Sequence, residues 1–283
     1  MSVRMREAFS ANLDRMRHEP TAKRIRAVLG GKPVVDTTRA ALVWEPRRVV
    51  PEYAVRADDV RGEFVPARGQ SMDAAGAGVA MPDVSRRPVL DPSIPFAVHT
   101  AEGDELDVVI EGRTLPGAGF RPADPDLAGY VVLAFAAFDS WYEEDEANVG
   151  HPRDPFHRID TVPSSRHVRI EIDGHLVAES TRPTVLFEAM LPPRYYLPRE
   201  DVRVELTPSD KRSICAYKGH ASYWSVTVDG RPVPDIAWSY EQPLHDAADV
   251  RGRIAFFDER VSVTLDGQQR DRPITPWSPP PGG

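Results

Sequence analysis

KRIRAVLGGKPVVDTTRAALVWE (Lys23 to Glu45) and RHVRIEIDGHLVAESTRPTVLFE (Arg166 to Glu188) align without a gap at an offset of 143. Arg26 falls on Arg169, Gly31 on Gly174, Val34 on Val177, Thr38 on Thr181 and Glu45 on Glu188. Such self-similarity governs how the rest of a chain is read, because it makes one fold serve twice. The match continues at an offset of 142, with Pro51-Glu-Tyr53 on Pro193-Arg-Tyr195 and Asp59-Val60 on Asp201-Val202. After a Gly/Ala/Pro-rich insertion at about 69–95 the offset becomes 118, where EGRTLPGAGF (Glu111 to Phe120) meets DGRPVPDIAW (Asp229 to Trp238). AAFD (Ala136 to Asp139) then pairs with AFFD (Ala255 to Asp258).

Each copy reads as strands. VRIEIDGHLVAES alternates apolar and polar side chains around an Asp-Gly turn, and SYWSVTVDGRPV repeats the pattern around Asp229-Gly230, the pattern of a tight hairpin. TRPTVLFEAM (Thr181 to Met190) reads as the one short helix of its copy, capped by Thr181 with Pro183 in the first turn. An N-terminal amphipathic helix is expected from Arg4 to His18, ending at Pro20. The chain therefore divides into an N-terminal helical extension (1–21), a first β domain (22–148), a linker (149–164), a second β domain (165–267) and a Pro-rich tail (268–283), packed or mobile. The fold class is mainly β, two tandem copies of a compact antiparallel domain.

Composition narrows the function. The net charge of -8 opposes a broad nucleic-acid or anionic-membrane surface. The 28 prolines disfavour long helices. One cysteine makes no internal disulfide, and neither an apolar leader nor a membrane-spanning run is visible, YVVLAFAAF (Tyr130 to Phe138) being far too short. A cytoplasmic protein with no nucleic-acid or membrane partner is the expectation.

The two copies differ most at CAYKGHASYWSV (Cys215 to Val226), which faces AVHTAEGDELDV (Ala97 to Val108). Cys215, Lys218, Tyr223 and Trp224 stand opposite Ala97, Thr100, Glu105 and Leu106. A residue needed only for the fold should recur in both copies, so this asymmetry points to a site in the second. Lys218 beside Gly219 can present its ammonium at the mouth of a cleft, or be an ordinary turn lysine. Tyr223 and Trp224 are consecutive in a strand and point to opposite faces. Cys215 can be a nucleophile with His220 as base, although a small buried hydrophobe is the more frequent role.

The run PPRYYLP (Pro192 to Pro198), D-V-R, C-x-Y-K-G-x-A-S-Y-W-S, W-S-Y-x-x-P (Trp238 to Pro243) and a closing F-D resembles the domain-of-unknown-function family 427, in its tandem form. The resemblance covers about Ala22 to Gly267 and implies a β-tent-like fold of two sheets at an angle. It also places Arg182, Tyr195, Tyr196, Trp238 and Tyr240 at motif positions. β-tent relatives clamp zinc with cysteine pairs, so a single cysteine predicts no zinc clamp. The family carries a nucleotidyltransferase label, yet no Gly-Ser followed by Asp-x-Asp at strand spacing is present to hold the metals of phosphoryl transfer.

The ligand-binding set is thus Arg182, Tyr195, Tyr196, Lys218, Tyr223, Trp224 and Trp238, an aromatic-walled pocket for a small anionic or carbonyl-bearing molecule. Replacing Lys218 by alanine is expected to abolish binding with little change in stability. A second reading is a cofactor-independent enzyme with Lys218 and Tyr223, or His220, as acid-base groups; a third is a structural or interaction module. Glu143, Glu144, Asp145, Glu146, His151, Asp154 and His157 carry metal-ligating chemistry, but an acidic run is more often a solvated edge. No metal and no cofactor is assigned. Ser164-Ser165 lacks the Gly-x-Ser-x-Gly context of a hydrolase.

Overall fold

The computed structural model describes residues 2–69 and 72–279. They form two compact units, Met1–Asp154 and Pro155–Gly283. The protein is mainly β, as expected, and among the described residues no helix is long and apolar enough to cross a membrane.

Unit 1 opens with α1 (Met5–Ser10), which buries none of its side chains. The strands are β1 (Arg17–Pro20), β2 (Ile25–Leu29), β3 (Lys32–Thr37), β4 (Ala41–Trp44), β5 (Glu52–Arg56), β6 (Glu63–Pro66), β7 (Gly103–Ile110), β8 (Arg113–Pro122), β9 (Tyr130–Leu133), β10 (Ser140–Glu143) and β11 (Glu146–Asn148). A seven-stranded sheet runs β1-β4-β5-β9-β8-β7-β6 and a four-stranded sheet β11-β10-β2-β3. The helix expected to reach His18 stops at Ser10, because Arg17 to Pro20 pair antiparallel with Trp44 to Ala41. A six-residue helix without a buried face has little to hold it.

Unit 2 repeats the order with β12 (Ile159–Pro163), β13 (Val168–Ile172), β14 (His175–Ser180), β15 (Thr184–Glu188), β16 (Arg194–Tyr196), β17 (Thr207–Cys215), β18 (Gly219–Val228), β19 (Arg231–Ser239), β20 (Ala255–Phe256), β21 (Ser262–Leu265) and β22 (Gln268–Gln269). Its sheets are β12-β15-β16, β14-β13-β21-β22 and β17-β18-β19-β20. Two expectations change here. Thr184–Glu188 is a strand rather than the middle of a helix, since β-branched and aromatic side chains pair with β12 on one side and β16 on the other. Residues 159–163 of the expected linker are the strand that pairs with it.

The two units share backbone detail that side chains alone do not reveal. At the offset of 143, β2 and β3 coincide with β13 and β14, and a bulge after Ala27 recurs after Ile170. At 118, the bulge between Leu106 and Val108 recurs between Trp224 and Val226. Arg47 and Met190 both adopt positive φ, 69° and 64°, in the loop after β4 and β15. Beyond that point the sequence alignment slips. Val132 pairs with Phe120 as Ala255 pairs with Trp238, and Trp141 pairs with Ala27 as Val263 pairs with Ile170. The strand register therefore sets AAFD three or four residues away from AFFD, whose shared letters arise from composition.

Period-2 burial holds each core. Ile25, Ala27 and Leu29 of β2, and Val168, Ile170 and Ile172 of β13, are buried on one face. Each fully buried aliphatic side chain stabilises by about 1.5–3 kcal/mol. The Asp173-Gly174 and Asp229-Gly230 turns have positive φ at both positions, 49° and 82° and then 50° and 71°, the geometry that matches the twist of the flanking strands.

Candidate functional site

Glu188, the last residue of β15, collects the charged side chains of unit 2. Its Oε2 lies 2.5 Å from Lys218 Nζ and its Oε1 lies 3.1 Å from His157 Nε2. Ile159 pairs with Glu188 across β12 and β15, which brings His157, two residues upstream, alongside the carboxylate. Lys218 comes from the turn between β17 and β18, where Cys215 pairs with Gly219. Gly219 has φ +91°, and a Cβ there would meet Leu244 Cγ at 3.4 Å; the Leu244 N–H donates to the Lys218 carbonyl at 3.2 Å. This packing turns Lys218 inward, not out to the mouth of a cleft.

The side chains of Lys218, Glu188 and His157 are 12%, 9% and 14% exposed. Burial works to raise the Glu188 pKa, but Lys218 and His157 outweigh it and hold the carboxyl at about 2. Burial likewise works against the Lys218 charge, and the Glu188 carboxylate beside it outweighs that cost and raises the ammonium above the ordinary lysine value. A lysine so held has no free lone pair at neutral pH. It can orient an oxyanion or polarise a carbonyl, and it is unsuited to act as a nucleophile or base.

Two phenols and a thiol complete the surroundings. Tyr196 and Tyr240 are buried, and Cys215 is half-buried. Burial pushes Tyr196 up to about 12, with Lys218 and Glu188 in its electrostatic field, and raises Tyr240 well above its usual value. Both stay protonated. Tyr196 Oη accepts from Trp238 Nε1 at 3.0 Å, which leaves its own proton available to donate. His220 cannot serve Cys215 as a base. It pairs with Ile214, one residue out of phase with Cys215, and so lies on the other face of the hairpin.

The remaining expected residues separate. Trp238, Tyr196, Tyr223 and Tyr240 share one core cluster with Phe257; Trp238 and Phe257 have ring centroids 4.6 Å apart, so these rings pack on one another. Tyr223 bonds Ser213 Oγ at 2.7 Å rather than Lys218. Trp224 and Tyr195 join a different cluster, and Trp224 Nε1 donates to Ser239 Oγ at 2.9 Å. Consecutive Tyr223 and Trp224 thus serve two cores, as strand alternation demands. Arg182 is exposed and pairs with Asp201 at 3.1 Å, where Ser180 Oγ also donates to Asp201 at 2.6 Å. Unit 1 builds the same group from Arg39, Asp59 and Thr37, so Arg182 belongs to the fold by the symmetry argument itself.

The linker acids and histidines scatter too. Glu143 takes Tyr53 Oη at 2.7 Å and Lys23 at 2.5 Å, Asp145 pairs with Arg26 at 2.9 Å, and Glu146 with Arg153 at 2.6 Å. Of that set, His157 reaches Glu188. Glu188 itself carried a signal in the sequence, its identity with Glu45, but the repeat made it look structural. In unit 1, Glu45 is indeed buried, bonded to His99 Nδ1 at 2.8 Å and to the backbone N–H of Thr100 at 2.7 Å. His99 stacks on Phe120, the counterpart of Trp238, with centroids 4.0 Å apart. The glutamate is common to both units; the lysine opposite it is not.

No curated protein matches the chain. Residues 160–267 match the model of the family described as domain of unknown function (DUF427), a span that runs from β12 through the turn after β21 and contains Glu188, Tyr196, Cys215, Lys218 and Tyr240. This stretch of unit 2 is thus similar to a DUF427 domain.

Proposed function

We propose that unit 2 binds a small molecule through a carboxylate, phosphate or carbonyl oxygen, held by Lys218 beside Glu188. The observation that carries this reading is the fixed Lys218 ammonium, which uses one donor on Glu188 and sits in the company of two protonated phenols, Tyr196 and Tyr240. Donors with protons to give, in a region of low dielectric, are what an anionic oxygen requires. The net charge of -8 disfavours a polyanion as the partner.

One observation favours an enzyme as the second reading. His157 Nε2 rests on the Glu188 carboxylate, the arrangement that orients an imidazole and leaves its other nitrogen for proton transfer. In that case His157 is the acid-base group and Lys218 the electrostatic one, in place of Tyr223 or His220.

Native mass spectrometry of the purified full chain, followed by NMR titration with inorganic phosphate and with pyruvate, tests the binding reading. Saturable shifts confined to residues around Lys218, lost in a Lys218→Met/Glu188→Gln double variant that remains folded, are expected. Shifts that persist in the double variant, or the absence of both a retained ligand and saturable shifts, would overturn it.

A further inference from the structure

The segment after the last strand of unit 2 is held by side chains rather than by the sheet. Ladder hydrogen bonding ends at Arg270, whose N–H donates to Val263 O at 2.8 Å. Beyond it, Thr275 is 2% exposed and its hydroxyl donates to the buried Glu259 carboxylate. Thr275 and Ser278 close a tight turn, with Ser278 N–H to Thr275 O at 3.1 Å and Thr275 N–H to Ser278 Oγ at 3.0 Å. Trp277 lies over Arg194, its ring centroid 5.7 Å from the guanidinium carbon.

The surface that receives this segment is built without it. Arg194 Nη1 donates to Glu259 Oε2 at 3.0 Å and Nη2 to Oε1, a two-point pairing that fixes both side chains inside the unit. The same guanidinium also sits 5.7 Å from the centroid of Trp238, whose indole N–H is bonded to Tyr196. A continuous line of contact therefore runs from Trp277 through Arg194 and Trp238 to Tyr196. In unit 1 Glu52 stands at the position of Arg194, opposite Val43 as Arg194 is opposite Leu186. The segment also lies beyond residue 267, where the family match ends.

We propose that Arg194 and Glu259 form a docking site for a Thr-Pro-Trp-Ser segment, occupied here by residues 273–278 of the chain itself as a releasable strap that sets the position of Trp238 and Tyr196. A side-chain-anchored segment seated on a prebuilt receptor is an intramolecular ligand, held by its high effective concentration. Its consequence for ligand binding rests on the proposed role of Lys218, because Tyr196 is the shared member of the two groups.

The test uses the full chain and no ligand. In a Thr275→Val/Trp277→Ala variant the Trp238 indole N–H resonance should move and exchange with solvent at least about tenfold faster, while the Trp224 indole, bonded to Ser239 in the other core, stays in place. A peptide of residues 271–279 added in trans should restore the Trp238 signal, and the same peptide with valine at 275 should not. Should the double variant fold poorly, Trp277→Ala alone, at a side chain 44% exposed, supplies the same reading. An unmoved Trp238 resonance, or equal action of the two peptides, would overturn the proposal. Because the readout is an indole proton in the absence of phosphate or pyruvate, its failure leaves the Lys218 reading standing, and failure of that reading leaves this one standing.

Discussion

Lys218 and Glu188 meet at 2.5 Å, each largely withdrawn from solvent, across a separation of thirty residues in sequence. The pair joins the β17–β18 turn to the end of β15. It also reverses an expectation about Lys218, because an ion pair in such a place is part of the structure as well as of the site.

Lys218→Ala is expected to destabilise unit 2 by about 3–5 kcal/mol, since it leaves the Glu188 charge buried with only His157 beside it. The Lys218→Met/Glu188→Gln double variant should recover most of that loss, because two neutral groups of similar volume need no counter-charge. Urea unfolding of the wild type and both variants measures it. A single variant as stable as the wild type would show that Lys218 is free in solution.

Acid should weaken unit 2 through Glu188. Its carboxyl titrates at about 2 in the folded protein against an ordinary value of 4.5. The folded state thus favours the ionised form, and the resulting stability is fully present above about pH 4.5 and is lost as the pH falls towards 2. The loss over that window is on the order of 3 kcal/mol, at 1.36 kcal/mol per pH unit. Melting temperature followed from pH 6 to pH 2 should fall more steeply for the wild type than for Glu188→Gln.

Unit 1 should show the opposite sign at Glu52. Burial raises this carboxyl to about 8, against the N–H of Phe135 and the charge of Arg48, which work to lower it. The folded state favours the protonated form, so stability is present below about pH 4.5 and declines as the pH rises towards 8. Glu52→Gln keeps an acceptor for the Phe135 N–H and removes the titration. It should be more stable than the wild type by up to about 4 kcal/mol near pH 8 and nearly equal to it near pH 4, by the same conversion per pH unit. Equal stability at both pH values would show that the carboxyl is solvated.

Much of the fold was legible because strand signals are local. Alternation in VRIEIDGHLVAES and the turn residues Asp173-Gly174 specify β13, β14 and their connection without reference to the remainder of the chain. Thr181 to Met190 misled for a local reason as well. A capping threonine and an early proline imitate a helix start, while the partners that make Thr184–Glu188 a strand are β12 and β16, distant in sequence. The site was half legible: the asymmetry between copies found Lys218, and no pattern within CAYKGHASYWSV could show that its partner lies on another strand.

The sequence by itself determined the β class, the repeated order of elements and the turns, because alternation, Asp-Gly pairs and the recurrence of Arg26 at Arg169 or Glu45 at Glu188 are properties of the chain alone. Only the tertiary structure decided what the shared residues do. Glu45 and Glu188 are the same letter in the same place, yet one is closed by His99 and backbone N–H groups and the other by His157 and Lys218. The physical reason is that the charge of a buried carboxylate is set by whichever donors the packing brings within about 3 Å, and those donors come from strands and turns far away in sequence.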